Sequence, residues 1–413
     1  MFLFYQFLTS FLIIISPLLL IIRIIKKKED KKRFWEKFCL QVKSRPKGNL
    51  IWFHCASIGE TMSILPILDY YEKNRKIKNI LLTTTTVSSS KIIKKYKFKK
   101  LIHQFYPIDH SIITNKFLNH WKPDVAIFLE SEIWPNMFKE LKKNKINLIL
   151  LNARITKKTF NRWIKLSGIA KKIFSYIKIA YPQNKETKKY LTKLKVKKIK
   201  LIRNLKFIEN KIKYQKQINK KFSNFIINRK IWVAASTHSG EEVIAAKTHI
   251  LLKKKFNNLI TIIIPRHINR VDQINEEIKK LNLHTMLHSS NDKLIKKIDI
   301  YIVDTFGESK LFYRISPTVF LGKSITAKGG QNPLEAARFG AKILNGPNVE
   351  NFDDIYKLLK SLKISKEVKK AEQIAQNITF KKDIKKSKKI RSFGNIILKK
   401  TIQELNREIY NEI

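Results

Sequence analysis

The residues best suited to catalysis are carboxylates that directly follow short apolar runs. Glu60 lies at a predicted loop-to-helix junction, after the small residues Ser57 and Gly59, where a ligand could reach it. A carboxylate there can take a proton from a hydroxyl nucleophile, or it can simply complement the helix dipole. Glu130 and Glu132 alternate at the end of a predicted strand, so we expect them to point to opposite sides, with only one facing a ligand.

A second group of residues is suited to binding an anion. Gly329 and Gly330 lie between an apolar run that predicts a buried strand, 316–321, and a predicted helix, 333–339. Backbone N–H groups in such a loop, together with the positive end of a helix dipole, suit a phosphate. Two glycines before a helix also form ordinary tight turns, and the pattern alone leaves both interpretations open. Glu335, just inside the predicted helix, could accept hydrogen bonds from a ribose.

Two basic residues differ in how much their positions indicate. Arg266 stands at the end of a predicted strand, where a guanidinium group can bind phosphate or carboxylate through two hydrogen bonds. Lys206 lies in the run 204–207, close to a predicted domain boundary. Because the chain contains 85 lysines and arginines, Lys206 by itself is better explained as surface charge.

Common nucleotide and metal motifs are absent from the sequence. There is no P-loop, no GxGxxG, no HExxH and no Asp-x-Asp pair after a strand, so we predict no metal site and no bound cofactor. His54, His238 and His267 form no metal-ligand pattern and are predicted to be structural. Two cysteines with no CxxC spacing indicate a reducing compartment rather than a disulfide framework.

The formal net charge of +53 is far from that of an ordinary globular protein. A basic excess of this size favours nucleic acid or an anionic membrane as partner. The lysines are spread over almost every segment, isoleucine and asparagine are abundant beside them, and no nucleic-acid-binding motif is present. We therefore expect no nucleic acid partner and attribute the charge to compositional drift, with attraction to anionic lipids as an added consequence.

The first segment, 2–22, is almost uninterrupted phenylalanine, leucine and isoleucine and has the length of a membrane span. It has no basic region before it and no small-residue cleavage site, so we do not expect a removed signal peptide. Its few polar residues make it an imperfect span, and a helix lying shallowly in the membrane remains open. The lysines that follow predict that this flank, and the body behind it, face the cytoplasm.

The rest of the chain alternates apolar strands with helical patterns, which predicts doubly wound parallel sheets. The pattern restarts after a lysine-rich stretch, so we predict an anchor at 1–25, one Rossmann-like domain at 26–212 and a second at 213–413 with a basic helical tail. Every unusual polar cluster stands at the carboxyl end of a predicted strand, where ligands bind in such sheets. We expect the two domains to face each other across a cleft.

Ten short runs carry a family resemblance. In chain order they are HCASIGE, TTTT, ESEIWPN, NARIT, NLKF, STHSGEE, IIPRH, DTFGE, GGQNPLEAA and GPNVENF. On these runs, which cover nearly the whole chain, the protein resembles the 3-deoxy-D-manno-octulosonic acid (Kdo) transferases of lipopolysaccharide biosynthesis.

The resemblance implies a GT-B fold and an inverting, metal-independent transfer of Kdo from CMP-Kdo to the lipid A precursor lipid IVA. It implies a site at the cytoplasmic face of a bacterial inner membrane. Glu60 would be the general base, and Glu130 and Lys206 would stabilise the transition state. The donor CMP would be held by a larger set: Pro265, Arg266, Phe306, Gly307, Glu308, Asn332, Pro333, Leu334 and Glu335.

The chain departs from the family pattern at a few positions. Gln331 stands where the family has histidine, Arg203 where it has a small residue and Ile208 where it has aspartate, and a family glycine is absent after Gly322. Two alternatives stay open: another membrane-associated GT-B glycosyltransferase, or a degenerate basic scaffold that binds membranes or nucleic acid.

Overall fold

The computed structural model describes residues 2–40, 42–210, 220–290 and 297–413. The chain divides into two compact units, the first comprising Met1–Lys211 with Gly394–Ile413 and the second Ile212–Phe393. The domain boundary predicted between residues 212 and 213 lies outside the described residues.

Each unit is built on a seven-stranded sheet. The strands of the first sheet are β1 (Leu50–Cys55), β2 (Asn79–Thr84), β3 (Leu101–Phe105), β4 (Val125–Leu129), β5 (Asn147–Ala153), β6 (Ile179–Pro182) and β7 (Lys198–Ile199). The strands of the second sheet are β8 (Lys230–Thr237), β9 (Leu259–Pro265), β10 (Thr285–Leu287), β11 (Ile300–Ile302), β12 (Thr318–Leu321), β13 (Lys342–Asn345) and β14 (Ser365–Glu367).

Helices connect these strands. In the first unit they are α1 (Phe2–Ile25), α2 (Ile58–Lys73), α3 (Val87–Ile93), α4 (Ser111–Trp121), α5 (Pro135–Lys143), α6 (Lys157–Lys165), α7 (Ser167–Ser175) and α8 (Lys185–Lys193). Those that follow are α9 (Lys220–Ile226), α10 (Glu241–Lys253), α11 (Val271–Lys279), α12 (Ser309–Ile315), α13 (Leu334–Arg338), α14 (Asp353–Ser361), α15 (Ala371–Asn377) and α16 (Ile384–Ile409).

All strand pairs recorded in the two sheets are parallel, which confirms the predicted doubly wound architecture. The first sheet has the order β3-β2-β1-β4-β5-β6-β7 and the second the order β10-β11-β9-β8-β12-β13-β14. The strand order reverses beside β1 in the first sheet, between β1 and β4, and beside β8 in the second, between β8 and β12. Ligands in such folds bind beyond the carboxyl ends of strands at this point.

The central strands are buried along their whole length, which explains why they stand out in the sequence as apolar runs. Strand β3 was not predicted, because His103 and Gln104 interrupt its apolar pattern. Both side chains are nevertheless buried and hydrogen-bonded, His103 to Thr84 Oγ1 at 2.9 Å and Gln104 to the indole N–H of Trp121 at 3.0 Å.

The end of the chain requires a correction. The sequence prediction placed all of 213–413 in the second domain, but Gly394–Ile413 pack within the first unit. Asn406 accepts a hydrogen bond from Tyr71 at 3.0 Å, Glu404 forms an ion pair with Lys200 at 2.7 Å, and Leu405 is fully buried. Although this tail is basic in composition, one face of its helix packs against the first unit. The contacting residues are too far apart in sequence for the packing to be predicted.

Helix α1 is the apolar N-terminal segment. A stretch of 21 residues, Tyr5–Ile25, is long and apolar enough to cross a membrane, and only 11% of its most apolar 18-residue window is buried. By length and composition this is weak support for membrane association, because signal sequences and core helices can meet the same criteria.

Candidate active site

Glu60 is held at the start of α2 by a reciprocal capping arrangement. Ser57 is the N-cap, and its hydroxyl accepts the Glu60 N–H and donates to Glu60 Oε1 at 2.7 Å. Glu60 Oε2 accepts the N–H of Ala56 at 2.8 Å. The run Ser-x-x-Glu is the sequence signature of such a cap, so the dipole-complementing interpretation of Glu60 is correct as far as it goes.

The surroundings of Glu60 also change the proton affinity of its carboxyl. Burial raises the pKa of the Glu60 carboxyl to about 7, against the lowering effect of its bonds from Ser57 and Ala56, and the charges of Glu130 and Glu132 raise it further. A general base works best when its pKa lies near the operating pH. The local cap therefore holds a carboxylate whose proton affinity suits acid–base chemistry at neutral pH.

Glu130 and Glu132 are both close enough to Glu60 for their charges to raise its pKa. Strand β4 ends at Leu129, and Glu130 has a φ of 51°, so the strand alternation does not continue through these residues. The N–H of Glu132 bonds back to the carbonyl of Leu129 at 3.1 Å. The chain turns here, and three carboxylates gather at the carboxyl ends of β1 and β4.

Lys206 is not surface charge. Its Nζ lies 3.0 Å from Glu130 Oε1, and both side chains are largely buried. The backbone around Lys206 forms a 3₁₀ turn, Leu205–Phe207, capped by the side chain of Asn204. Three of the sequence-predicted site residues, Glu60, Glu130 and Lys206, are thus brought together within the first unit.

Asn152 links the parts of this cluster and was missed in the sequence. Its Nδ2 donates to Glu130 Oε1 at 3.3 Å, and its Oδ1 accepts the N–H of Leu205 at 3.0 Å. Asn152 has a φ of 53° at an irregularity near the end of β5. The run NARIT marked the segment, but nothing local indicated that this amide connects residues 22 and 53 positions away.

His54 supports Glu132. The ring is fully buried, receives or donates a bond at 2.9 Å to Thr83 Oγ1, and lies 3.3 Å from Glu132 Oε2. Burial lowers the pKa of His54. The indole N–H of Trp134 donates to the same Glu132 oxygen at 3.0 Å. These contacts agree with the structural role predicted for His54.

In the second unit, the residues predicted to hold the donor lie at the end of β9 or after β9, β11 and β12. Pro265, Pro333 and Leu334 have buried side chains and serve packing, whereas Arg266 and Phe306 are exposed. The backbone N–H of Arg266 bonds to the carbonyl of Thr237 at 3.0 Å. Near it, the rings of His238 and His267 meet edge to face at 5.5 Å.

The loop after β11 is closed by Glu308. Its Oε2 accepts the hydroxyl of Thr305 and lies 2.9 Å from His288 Nε2. Gly307 between them has a φ of 82°, a conformation that favours glycine. The exposed ring of Phe306 thus stands on a loop fixed at its base, where it could cover a planar group.

The glycine loop after β12 leads into α13, as predicted, but this helix is only five residues long. Asn332 Oδ1 accepts the N–H of Leu334 at 3.1 Å, and Glu335 lies 3.3 Å from Lys310 Nζ. Gly329 and Gly330 have φ values of 110° and 69°. Because α13 is so short, its dipole gives an anion little support. The N–H groups of Gly329 and Gly330 are bonded to Glu350 and to the carbonyl of Lys323, so in this structure the glycine loop does not offer them to a phosphate.

Glu241 holds the loop after β12 in place, a role that the sequence analysis did not predict. Its carboxylate is fully buried and accepts the backbone N–H groups of four residues. They are His238 at 2.9 Å, Lys323 at 2.7 Å, Ser324 at 3.0 Å and Ile325 at 2.9 Å. The backbone passes so close that a Cβ at Gly322 would lie 2.6 Å from Glu241 Oε2.

The run GPNVENF is the second support of the same loop. Gly346 and Asn348 donate their N–H groups to Ser324 at 2.8 and 3.0 Å, and Glu350 accepts the N–H of Gly329 at 2.8 Å. A Cβ at Gly346 would lie only 2.0 Å from the Ser324 carbonyl oxygen. This family motif is therefore a brace for the loop at 322–330.

Comparisons with solved structures define the class. The chain resembles a UDP-N-acetylglucosamine 2-epimerase with a TM-score of 0.58 and 12% identity, over 89% of this chain and 97% of that one. It also resembles a glycosyltransferase from Rickettsia africae with a TM-score of 0.55 and 13% identity, over 89% of this chain and 100% of that one. At these identities only the fold is shared, and it is the GT-B fold.

Sequence comparisons define the family. Residues 32–209 match the family model described as 3-deoxy-D-manno-octulosonic-acid transferase. The 3-deoxy-D-manno-octulosonic acid transferase of Rickettsia bellii is 33% identical over 99% of this chain and 97% of its own length. That of Rickettsia felis is 34% identical over 88% of this chain and 78% of its own length. The chain belongs to the Kdo transferase family, and its activity is that of a glycosyltransferase of lipopolysaccharide biosynthesis.

Proposed function

We propose that the protein transfers Kdo from CMP-Kdo to lipid IVA, the lipid A precursor, with inversion at the anomeric carbon and without a metal ion. The observation that carries the proposal is the carboxylate cluster of the first unit. It combines a base of pKa about 7, Glu60, with a carboxylate–ammonium pair, Glu130 and Lys206, 3.0 Å apart.

Glu60 acts as the general base. It takes the proton of the acceptor hydroxyl as that oxygen attacks the anomeric carbon of Kdo, and the bond from this carbon to the CMP phosphate breaks. CMP leaves with the electron pair. A single displacement needs one base and no covalent intermediate, and it inverts the configuration.

Glu130 and Lys206 stabilise the transition state. Positive charge develops on the sugar as the bond to phosphate loosens, and negative charge develops on the departing phosphate. A carboxylate and an ammonium group held in fixed positions suit these two charges, since preorganised charges cost no reorganisation during the reaction.

The second unit binds the donor. Arg266 is the group for the CMP phosphate, because an exposed guanidinium at a strand end offers paired donors. The ring of Phe306 packs on the cytosine or ribose, with Gly307 and Glu308 fixing its loop. Asn332 and Glu335 offer polar contacts to the sugar, and Pro265, Pro333 and Leu334 give the site its shape.

No cofactor is required in this proposal. Among the described residues, His, Cys, Asp and Glu side chains form no group of three or more that could hold a metal ion. Metal independence is itself open to test, by transfer in the presence of a chelator.

The protein would work at the cytoplasmic face of the bacterial inner membrane, where α1 and the excess of lysine favour binding to anionic lipids. Nucleic acid is not proposed as a partner, because the lysines are spread through the chain and no recognisable binding motif accompanies them.

The test is a transfer assay with purified full-length protein, CMP-Kdo and lipid IVA in detergent, with and without EDTA. Mass spectrometry of the lipid should show the addition of Kdo, and NMR of the product should show inversion. Glu60→Ala should abolish transfer and leave CMP binding, measured by calorimetry, within about twofold of wild type. Transfer by this variant at the wild-type rate would refute the mechanism, and transfer only of another sugar would refute the substrate.

A further inference from the structure

Helix α1 carries two opposite stripes of residues. One stripe is covered by the rest of the first unit, wholly or in part, and consists of Tyr5, Thr9, Ile13, Ser16, Leu20 and Ile24. The centre of the opposite face is formed by large apolar side chains that are between 41% and 76% exposed: Phe7, Phe11, Ile14, Leu18, Ile22 and Ile25. Leu8, Leu12, Leu19 and Ile21 flank this stripe and are also exposed. Both sets follow spacings of three and four residues, so each marks one face of the helix.

The covered face is attached at its N-terminal half by hydrogen bonds. The Tyr5 hydroxyl donates to Asp109 Oδ2 at 2.7 Å, and Asn136 Nδ2 lies 3.4 Å from Thr9 Oγ1. Asp109 also accepts the N–H of Asn136 at 3.1 Å and that of Met137 at 2.8 Å, which caps α5. Thr9 and Ser10, two of the polar residues that make this segment an imperfect span, therefore contact the folded unit, Ser10 through His110 Nε2 at 3.2 Å.

The other half of α1 is attached as well. Ile13 packs against the hydrophobic core of the first unit, and Leu20 is buried. At the end of the helix, Arg23 pairs with Glu29 at 2.7 Å, and Lys37 pairs with the same carboxylate at 2.7 Å. The folded unit therefore supports α1 from its first turns to its last.

This attachment is incompatible with a helix that crosses the bilayer. From Tyr5 to Ile24 the helix extends about 28 Å at 1.5 Å per residue, close to the thickness of the hydrocarbon core of about 30 Å. If α1 crossed, Asp109 and the loop around it would accompany Tyr5 to the far side. Irregular backbone and a carboxylate would then lie in hydrocarbon, where every backbone polar group must be satisfied internally.

The exposed stripe has the chemistry of a surface for an anionic bilayer. Lys26, Lys27, Lys28, Lys31 and Lys32 follow the helix at once and are all exposed. Apolar side chains on one face beside a cluster of cations favour a helix that lies in the headgroup region, with its apolar face about 5–10 Å deep. Each lysine near an anionic surface adds attraction.

We infer that α1 lies in the plane of the membrane, with the stripe Phe7–Phe11–Ile14–Leu18–Ile22–Ile25 in the lipid and the opposite face fixed to the first unit. The inference rests on the membrane-associated function proposed above. It adds a consequence for that function: Asp109 and Asn136 follow β3 and β4, so α1 holds the catalytic edge of the first sheet at the lipid surface.

The decisive measurement is the depth of single labels along the stripe. Phe7→Cys, Ile14→Cys and Ile22→Cys each carry one environment-sensitive fluorophore, since the two native cysteines are buried. The full-length protein is bound to vesicles of phosphatidylcholine and phosphatidylglycerol, and quenching by lipids with nitroxides at two depths locates each label. An in-plane helix places all three at the same shallow depth. A crossing helix places residue 14 deeper than residue 7 by about 10 Å, from seven residues of rise.

Sidedness gives an independent result. An epitope tag ahead of Met1 should be digested by protease from the same side of inverted membrane vesicles as the body of the protein. A protected tag with a digested body would overturn the inference, as would a label at residue 14 that lies at the bilayer centre.

A matched pair of variants tests the stripe itself. Phe11→Ser combined with Ile14→Ser and Leu18→Ser should weaken binding to the same vesicles, measured by flotation, by about 100-fold or more. The control replaces three exposed isoleucines outside α1 by serine, Ile227, Ile384 and Ile396, and should float like wild type. Equal flotation of both variants would refute the stripe as the lipid-binding surface.

Two further outcomes separate this inference from the proposed function. Crosslinking of Leu18→Cys into a dimer in vesicles, with no quenching by lipid, would assign the stripe to a second copy of the chain and overturn the inference. Kdo transfer in detergent is measured separately. Failure of the membrane inference therefore leaves the proposed function testable, and failure of the proposed function leaves the membrane inference testable.

Discussion

The two units place a glutamate at the same point of their folds and use it in opposite ways. Glu60 follows β1 and Glu241 follows β8, each beside the point where the strand order reverses and each directly after a glycine. Glu60 accepts two bonds from its own cap, and burial raises its pKa to about 7. Glu241 is wholly enclosed and accepts four backbone N–H groups.

The difference between Glu60 and Glu241 shows that the donors and charges around a carboxylate decide its role. Few donors reach Glu60, and two other carboxylates stand nearby, so its proton is exchangeable near neutral pH. Backbone N–H groups of a loop distant in sequence donate to the Glu241 carboxylate. These hydrogen bonds hold that loop in place. One site is built to exchange protons, and the other is built to keep a binding loop rigid.

The largest effect should come from removing the base. Glu60→Gln keeps the size of the side chain and part of the cap, and we expect kcat to fall by about 10²–10⁴-fold, the usual contribution of a general base. In the wild type, kcat/KM should decrease tenfold per pH unit below about 7, because Glu60 must be deprotonated to act. Residual activity of the variant should lack this acid limb. A wild-type pH profile in the variant would assign the limb to another group.

Stability provides the control for that experiment. The folded-state pKa of Glu60 is raised above its ordinary value of 4.5 to about 7. The native state therefore holds this proton more tightly, and the contribution of Glu60 to stability is lost as pH rises through that window. The unfolding free energy of the wild type relative to Glu60→Gln should decrease between pH 4.5 and pH 7. A pH-independent difference would contradict burial of the charge.

Glu241→Gln should have the next largest effect, and on the loop rather than on the chemistry. An amide presents one oxygen and one NH₂ to four N–H donors, so bonds are lost and buried donors left unpaired, at a cost of about 3 kcal/mol. Hydrogen exchange at the amides of Lys323, Ser324 and Ile325 should accelerate by about 100-fold. CMP binding should weaken in parallel.

Glu350→Gln is the matched control for this loop, because Glu350 accepts a single recorded backbone N–H, from Gly329. It should cost about 1 kcal/mol or less. If both variants behave alike, Glu241 is not the main support of the loop.

The smallest effect should separate the two glycines that precede the glutamates. Gly240 has a φ of 88°, and an added Cβ would lie 3.3 Å from Thr326 Cγ2, so Gly240→Ala should lower the unfolding free energy by about 1–2 kcal/mol. At Gly59 the nearest atom would be Ser57 Oγ at 3.9 Å, in a helical turn. Gly59→Ala should therefore be neutral or stabilise by about 0.5–1 kcal/mol. Urea unfolding of both variants measures the difference, and equal losses would remove the structural contrast.

Much of the fold could be predicted from sequence because its information is local. Central strands such as β1 and β9 are continuous apolar runs, and Ser57 with Glu60 forms a cap written within four residues. Strand β3 could not be predicted, because His103 and Gln104 are polar and become acceptable in the interior only through partners in other elements.

The sequence could predict the residues of the candidate site, but it could not predict the contacts between them. Short runs marked Glu60, Glu130 and Lys206, but the ion pair of Lys206 with Glu130 joins residues 76 positions apart in the chain. Asn152 was missed for the same reason. The strand alternation assumed for Glu130 and Glu132 does not extend to them, because β4 ends at Leu129 and Glu130 has a φ of 51°.

The sequence by itself determined the doubly wound units, the family and the apolar nature of the first helix, because periodicity, caps and collinear motifs depend on neighbouring residues. The tertiary structure alone decided that Glu241 braces a loop more than 80 residues away, that the last helix returns to the first unit, and that α1 has a covered and an exposed face. Burial and hydrogen-bond partners set these roles, and they exist only after distant parts of the chain have come together.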